Sequence, residues 1–272
     1  MNETPDFQAA TQAQQQTWSK GDFAVIAAIV FYTAEELAEA LEIFPGDHVL
    51  DVACGSGNGA LAAARRAWGN TTGLDFVPEL LERARERAAA ERLDVEFVEG
   101  DAQELPFGDG EFDVTMSIFG AMFAPDQQRT ADELLRVTKP GGRIGMANWC
   151  PDGGLERLFL TVMKHTGGPP PGVMPPVLWG TEDHVRQLFG DGISDLRCER
   201  VKSRQPFFSA DHYIDVFRTY FGPIKGAYEK VGPEGEEALT TDLRQMLEDA
   251  NTAGDRGLVI EPEYLRVVAT RA

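Results

Sequence analysis

Positive charge, cysteine and histidine are all scarce in this chain. Its 272 residues hold 25 Lys and Arg against 44 Asp and Glu, a formal net charge of −19. Nucleic-acid phosphates are bound largely through Lys and Arg, so no nucleic-acid partner is expected. The short cationic stretch Arg83, Arg85, Arg87 and Arg92 is interleaved with Glu79, Glu82, Glu86 and Glu91. Mixed signs at this spacing read as a salt-bridged, solvent-facing helix surface. The three cysteines, Cys54, Cys150 and Cys198, are odd in number, far apart and without C-x-x-C spacing, which argues against a disulfide framework or a zinc site. The four histidines (His48, His165, His184, His212) show no ligand spacing, and no metal is expected. The apolar run from Phe23 to Tyr32 is too short to cross a bilayer, so no membrane insertion is expected. The polar, Gln-rich start lacks the basic and apolar regions of a secretory leader, making the cytoplasm the expected location.

What is present is globular: 43% hydrophobic and 25% charged residues. The length suits one large α/β domain with an elaboration, or two small domains. Residues 1–16 read as a frayed or docking arm, and 23–43 carry apolar positions at helical spacing, with Thr33 as a second helix start. From Asp47 the rhythm changes. Strands are predicted at Val49–Ala53, Thr71–Phe76, Val95–Val98, Phe112–Ile118 and Arg143–Trp149. Helices separate them at 60–67, after Pro78 at a first helical position, and after Asp126 as a cap. The turn Lys139-Pro140-Gly141-Gly142 precedes the fifth strand. Strands alternating with helices imply βαβ units and a mostly parallel, doubly wound sheet. Beyond Trp149, 167–176 reads as a loop, 181–188 as a helix, 196–208 as a strand, 210–252 as helical and 264–270 as a final strand. The resulting organisation is an N-terminal helical arm or lid (1–43), a core (44–150), a loop-rich continuation with a late strand (151–209), a helical cap (210–255) and a final edge strand of the core sheet (256–272).

Four motifs carry the chemistry. The first is Asp51-Val52-Ala53-Cys54-Gly55-Ser56-Gly57-Asn58-Gly59, where a strand turns into its helix. Residues without Cβ atoms let the backbone bend and a ligand approach, at the sheet edge where open α/β folds bind ligands. This spacing also satisfies a dinucleotide pattern. Asp51 argues against a pyrophosphate, which it would repel, and for a cationic amino-acid ligand, reached directly or through water. The second is Gly73-Leu74-Asp75-Phe76. A carboxylate ending the second strand can accept from both ribose hydroxyls, or simply cap the Pro78 helix, and Phe76 can pack on an adenine face. The third is Glu99-Gly100-Asp101-Ala102, where Asp101 and the Ala102 backbone suit an adenine edge, or only a surface turn. The fourth runs from Phe112-Asp113-Val114 through Ser117 to Phe119-Gly120-Ala121-Met122-Phe123. Phe119, Met122 and Phe123 are candidates to wall a substrate, although helix-packing core explains Met122 and Phe123 about as well.

In order and spacing these motifs, with Leu134-Leu135-Arg136-Val137-Thr138-Lys139-Pro140-Gly141-Gly142, resemble the class I S-adenosylmethionine-dependent methyltransferases over residues 44–149. The subgroup that methylates quinones and similar small molecules is the nearest likeness. The resemblance implies a seven-stranded sheet whose last strand is antiparallel, S-adenosylmethionine as cofactor and a small-molecule methyl acceptor. It places Asp51, Gly55, Ser56 and Gly57 at the cofactor turn, Asp75 and Phe76 at the ribose and adenine, Asp101 and Ala102 at the adenine, and Ser117 facing the methionine portion. Ala53 departs from the family, which more often has glycine there; alanine fits provided that the residue is not at positive φ.

Methyl transfer from a sulfonium is an in-line displacement that asks mainly for alignment, so no strongly marked catalytic residue is expected. His165 and His212 are candidate bases, each more often structural at a lone position. Candidate acceptor contacts are Trp18 and Phe23 on the arm, Phe119, Met122, Trp149 and Trp179, and Phe217, Arg218, Tyr220 and Phe221 on the cap, an aromatic cluster that suits a flat or apolar acceptor or simply core packing of the cap. The competing classes are an NAD-dependent oxidoreductase on the same glycine turn and a non-catalytic S-adenosylmethionine-binding protein. Asp51 and the absence of a recognisable Ser/Tyr/Lys hydride-transfer set weigh against the first.

Overall fold

The computed structural model describes residues 6–168 and 172–272. Three helices lead, α1 (Phe7–Trp18), α2 (Phe23–Ile29) and α3 (Phe31–Ala40). The alternating half follows: β1 (Val49–Val52), α4 (Asn58–Ala67), β2 (Thr71–Asp75), α5 (Pro78–Glu91), β3 (Glu96–Glu99), β4 (Phe112–Ile118), α6 (Gln127–Val137) and β5 (Thr138–Trp149). The rest is α7 (Gly154–Thr166), α8 (Glu182–Phe189), β6 (Ile193–Lys202), β7 (Gln205–Phe207), α9 (Ala210–Tyr220), α10 (Gly222–Asp249), β8 (Leu258–Ile260) and β9 (Glu263–Arg271).

Seven strands form one sheet in the order β3-β2-β1-β4-β5-β9-β6. The first five are parallel, and β9 runs antiparallel between β5 and β6. Every residue of β1 is buried, as a central strand covered on both faces requires. Local chemistry sets the helix starts. Pro78 occupies the first turn of α5, and the Asp126 side chain accepts the Arg129 N–H at 3.0 Å to open α6. One core lies against the sheet, with Leu37, Leu50, Met116 and Leu134 fully buried in it. A second apolar cluster sits in the cap, built from Tyr213, Phe217, Ile224, Leu239 and Leu243 of α9 and α10 with Leu158 of α7. Among the described residues no helix is long and apolar enough to cross a membrane.

The structure differs from the sequence reading in several places. The described part of the N-terminal arm is a formed helix, opened by Asp6, whose side chain accepts the Ala9 N–H. α3 begins at Phe31 rather than at Thr33, which is buried inside it. Residues 139–142 belong to β5 as an irregularity, since the pairing jumps from Phe112–Thr138 to Val114–Arg143 and Gly141 takes φ +75°. The expected strand 196–208 is two strands in different sheets: β6 pairs with β9, whereas β7 pairs with β8. Pro262, which has no N–H to give a ladder, stands where the partner segment breaks between β8 and β9. The final strand is not at the edge: β9 is interior and β6 is the edge. The helical run after 210 is broken at Tyr220–Gly222 and kinked at Gly232 and Pro233. Of the expected loop 167–176, residues 169–171 lie outside the described residues.

Candidate active site

β1 pairs with β2 on one side and β4 on the other, so the chain's winding reverses between β1 and β4. Open α/β sheets bind ligands at the carboxyl ends of such a pair. Here the turn after β1 meets the turn after β4 closely. A Cβ on Gly120 would stand 2.7 Å from the Ala53 Cβ, so only glycine lets the two turns touch. Gly55 takes φ +54° and donates its N–H to Asp75 Oδ2 at 2.8 Å. Asp75 Oδ1 accepts the Val77 N–H at 2.9 Å. The carboxylate that ends β2 therefore braces the first turn and the start of α5 together. Burial pushes its carboxyl up to about 6, against the N–H bonds of Val77 and Gly55 that hold it down. Each oxygen keeps acceptor capacity beyond those bonds.

A cleft of about 90 Å³ opens at this edge. Gly55, Asp75, Phe76, Asp101 and Ala102 line it, and the leading helices cover it with Thr11, Gln14, Trp18, Phe23 and Ala27. The cover is tied to each of the three loops below. Asn58 Nδ2 donates to the Ala27 carbonyl at 2.9 Å, Gln15 Nε2 donates to the Phe76 carbonyl, and Gln103 Nε2 donates to Thr11 Oγ1 at 2.8 Å. Gln103 also donates from Nε2 to both Asp101 oxygens at 3.0 Å, fixing that carboxylate at the wall.

Other residues of the sequence-based cofactor set lie behind this wall. Asp51 is 1% exposed. Its Oδ2 accepts the Ala60 N–H at 2.7 Å, while Oδ1 is buried without a partner. Burial raises its carboxyl to about 8, with the Ala60 bond opposing and the Asp75 charge adding. It is a neutral acid under the turn at neutral pH rather than a carboxylate facing the cleft. Ser56 is buried and accepts from Arg87. Gly57 (φ +86°) faces α5, where a Cβ would meet Ala84 at 3.1 Å. Ser117 Oγ donates to the Val52 carbonyl at 2.7 Å and accepts the Ala121 N–H at 2.9 Å, which ties β4 to β1. Ala53 takes φ +54°. The condition under which alanine fits this turn is not met, and the site carries roughly 1–2 kcal/mol of backbone strain.

A second, larger cavity of about 410 Å³ lies on the cap side. It shares Trp18, Phe23, Val30, Phe119 and Phe123 with the cleft. Phe119 sits at this junction in a left-handed conformation, φ +54°, which is costly for a bulky side chain. Packing holds it there. Its ring stacks on Trp149 at 3.9 Å and 6° and meets the edge of Tyr264 at 5.5 Å, and the Tyr264 hydroxyl donates to Glu36 at 2.9 Å.

Trp18, Phe23, Phe119 and Trp149 are thus brought together around the junction. Four other substrate candidates are not. Met122 and Trp179 are fully buried in the sheet core. Arg218 pairs with Glu236 and lies over the Tyr228 ring at 4.4 Å. Tyr220 contributes its carbonyl, which accepts the Asp22 N–H at 3.1 Å, rather than its ring. Tyr213, Phe217 and Phe221 line the cavity, and helical phase turns Arg218 away from them; Tyr220 shares their face but sits at the last residue of α9, where it packs against the cap cluster without lining the cavity. Neither candidate base lines either cavity. His165 bonds Asp242 at 3.0 Å between α7 and α10, and His212 is half-buried beside Phe207 and Phe208 at the start of α9.

The sequence reading also missed residues. Arg87, assigned to a solvated face, is half buried and donates to the Ser56 carbonyl at 2.6 Å and to Asn58 Oδ1 at 2.9 Å. Asn58 thereby links α5, the glycine turn and the covering helix α2. Its place directly after the second glycine was the available signal; nothing local marked Arg87.

The methyltransferase-domain family matches residues 49–142, the span that builds this edge. Two Mycobacterium tuberculosis proteins match nearly end to end. Rv1403c is 41% identical over 98% of this chain and 97% of its own length, and Rv1405c is 38% identical over 97% and 96%. The demethylmenaquinone methyltransferase of Thermus thermophilus is 42% identical over 41% of this chain and 51% of its own length. The chain belongs to the class I S-adenosylmethionine-dependent methyltransferases. Among solved structures, the YcgJ protein of Bacillus subtilis shares the fold with a TM-score of 0.63 at 18% identity, covering 88% of this methyltransferase and 98% of that chain. The cyclase SpnF shares it with a TM-score of 0.52 at 20% identity, over 89% and 80%. The fold alone therefore does not choose the reaction.

Proposed function

We propose that this methyltransferase binds S-adenosylmethionine in the strand-end cleft and methylates a small molecule held in the cap-side cavity. The observation that carries this reading is the shared wall: two cavities of different chemistry meet at Trp18, Phe23, Val30, Phe119 and Phe123. The cleft offers carboxylates that accept from ribose and adenine hydrogens, and bare backbone that lets them approach. The larger cavity offers aromatic and aliphatic faces on the scale of small-molecule pockets.

In this reading Asp75 accepts from the ribose hydroxyls, Phe76 packs on the adenine, and Asp101 with the Ala102 backbone holds the adenine edge. The bound cofactor supplies a methyl group already activated on sulfur. The protein's part is alignment. The Phe119–Trp149 stack, fixed from behind by Tyr264 and Glu36, gives the acceptor a rigid face at the junction. The cap residues Tyr213, Phe217 and Phe221 and the arm residues Trp18 and Phe23 exclude water. No histidine lines either cavity among the described residues, and this reading gives the side chains the work of alignment.

Calorimetry with S-adenosylmethionine, S-adenosylhomocysteine and NAD, followed by transfer of labelled methyl groups into a metabolite extract, tests the proposal. Micromolar binding of the first two and label in a small acceptor are expected. Tight NAD binding without S-adenosylmethionine binding would remove the cofactor assignment. Binding with repeated absence of transfer would leave a cofactor-binding protein or a different reaction on the same fold.

A further inference from the structure

The 410 Å³ cavity holds a polar group that no protein contact explains. Tyr213 of α9 lines it and is only 5% exposed. Its ring is fixed by stacking on Phe217 at 3.9 Å and 13° and by the edge of Phe207 at 4.8 Å. Its hydroxyl has no protein hydrogen-bond partner among the described residues, whereas the other buried cap tyrosine, Tyr228, bonds Thr240 at 2.8 Å. The Tyr213 hydroxyl is not sealed in the protein, so it is free to bond a molecule that reaches it. Burial also raises the Tyr213 phenol pKa with no opposing contact, so the hydroxyl keeps its proton and can donate it in a hydrogen bond.

The other polar groups around this cavity are already engaged. Gln205 donates its amide to Ser203 Oγ at 3.3 Å, and Thr252 bonds the Val259 carbonyl at 3.2 Å. The charged residues pair with one another, Arg200 with Glu263 at 3.0 Å and Lys202 with Glu261 at 3.7 Å. Arg157 and Asp152 are exposed. The interior is apolar, with Ile26, Leu158 and Ile260 beside the two stacked aromatic pairs. Flat aromatic faces suit a planar guest, and an apolar interior with paired charges disfavours an ionic one.

We propose that the acceptor of this methyltransferase is a planar, uncharged, largely apolar molecule bearing a hydrogen-bond-accepting oxygen, and that Tyr213 is the specificity residue that binds that oxygen. The inference rests on the methyl-transfer reading above and narrows its substrate class. The enzyme rejects an isostere lacking the oxygen because such a guest covers the hydroxyl without replacing the hydrogen bond that water gives it in the open cavity.

The test uses 2-acetylnaphthalene and 2-ethylnaphthalene, which differ in the carbonyl oxygen, titrated into the full chain with S-adenosylhomocysteine bound. Quenching of tryptophan fluorescence reports binding, since Trp18 and Trp149 line the cavity. The ketone should bind about five- to tenfold more tightly than the hydrocarbon. In Tyr213→Phe that preference should vanish, with the hydrocarbon bound as in the parent and S-adenosylhomocysteine affinity unchanged. Equal binding of the two probes by the parent, or a preference that survives in Tyr213→Phe, would overturn the assignment, as would failure of both probes while S-adenosylhomocysteine binds. Failure of S-adenosylhomocysteine itself to bind strikes the methyl-transfer reading, and the acceptor assignment falls with it.

Discussion

The strand-end cleft and the cap-side cavity touch through five side chains yet are made of opposite materials. The cleft is built from backbone and carboxylates placed by consecutive residues at strand ends: Gly55 after β1, Asp75 at the end of β2, Asp101 after β3. The cavity is built from rings and aliphatic chains delivered by α1, α2, β4, β5, α7, α9 and α10. A hydrogen-bonding ligand with fixed geometry calls for donors and acceptors at set positions on a rigid edge. An apolar guest needs only shape and area, which many residue combinations supply. The cofactor half is consequently constrained locally, and the acceptor half is free to vary.

The comparison breaks if damage to one half spreads to the other. The largest effect is expected in the cap. Phe217→Ala should cost about 3–5 kcal/mol of stability in urea unfolding, because Phe217 is buried in the cap cluster and its neighbours Tyr213 and Phe221 lose a stacking partner. Cofactor affinity in the folded variant should stay within about twofold of the parent; a large loss would show that the two halves are one energetic unit. Next is Asp75→Ala, which should weaken S-adenosylmethionine by about 100-fold or more through two lost charge-assisted bonds. Unchanged calorimetric affinity would remove Asp75 from the site. The parent should also bind more weakly below about pH 6, where this raised carboxyl takes up its proton.

Asp51 sharpens the comparison inside the cleft half. Its carboxyl stands near 3.8 in the unfolded chain and about 8 when folded. Between those values the folded state holds a proton that the unfolded state releases, so stability contributed by this group is present below pH 4 and is lost as pH rises toward 8. Asp51→Asn should flatten that slope, and the unfolding free energies from urea titrations at pH 5 and pH 8.5 should differ less than in the parent by about 4 kcal/mol. A variant with the parent's slope would show that Asp51 is ionised under the turn. The smallest effect is expected at Ala53. Ala53→Gly relieves a left-handed alanine and should raise stability by up to about 1 kcal/mol, net of the added chain entropy. A fall in the unfolding midpoint would mean that the Ala53 Cβ packing against Gly120 outweighs the strain.

The regular half was legible. Strand and helix positions through residue 149 and the strand-end placement of Gly55, Asp75 and Asp101 follow from period, caps and glycine spacing, and the antiparallel last strand followed from the family resemblance. Harder to see were the features that depend on side-chain direction after packing. Ser117, Gly57 and Asp51 sit in motif positions but point into β1, α5 and α4 respectively, and so brace the site from behind. Arg87 looked like one more exposed arginine, because only the folded chain shows that its helix lies against the glycine turn. The cap candidates were right as a region and right for two of four residues. Of the four, Phe217 and Phe221 face the cavity and Arg218 and Tyr220 do not, whereas Tyr213, which does, carried no sequence signal of its own.

By itself the sequence determined the alternation of strands and helices and the chemistry at the strand ends, because those are set by neighbours within a few residues: a bare backbone where the chain turns, a carboxylate where a strand stops. Only the tertiary structure decided that β6 and β7 part company at Pro262, that Phe119 is held in a strained conformation between two rings, and that a tyrosine hydroxyl at residue 213 is left without a protein partner. Each of these arises from segments about 30 to more than 200 residues apart being pressed together, and no local pattern encodes which surfaces will meet.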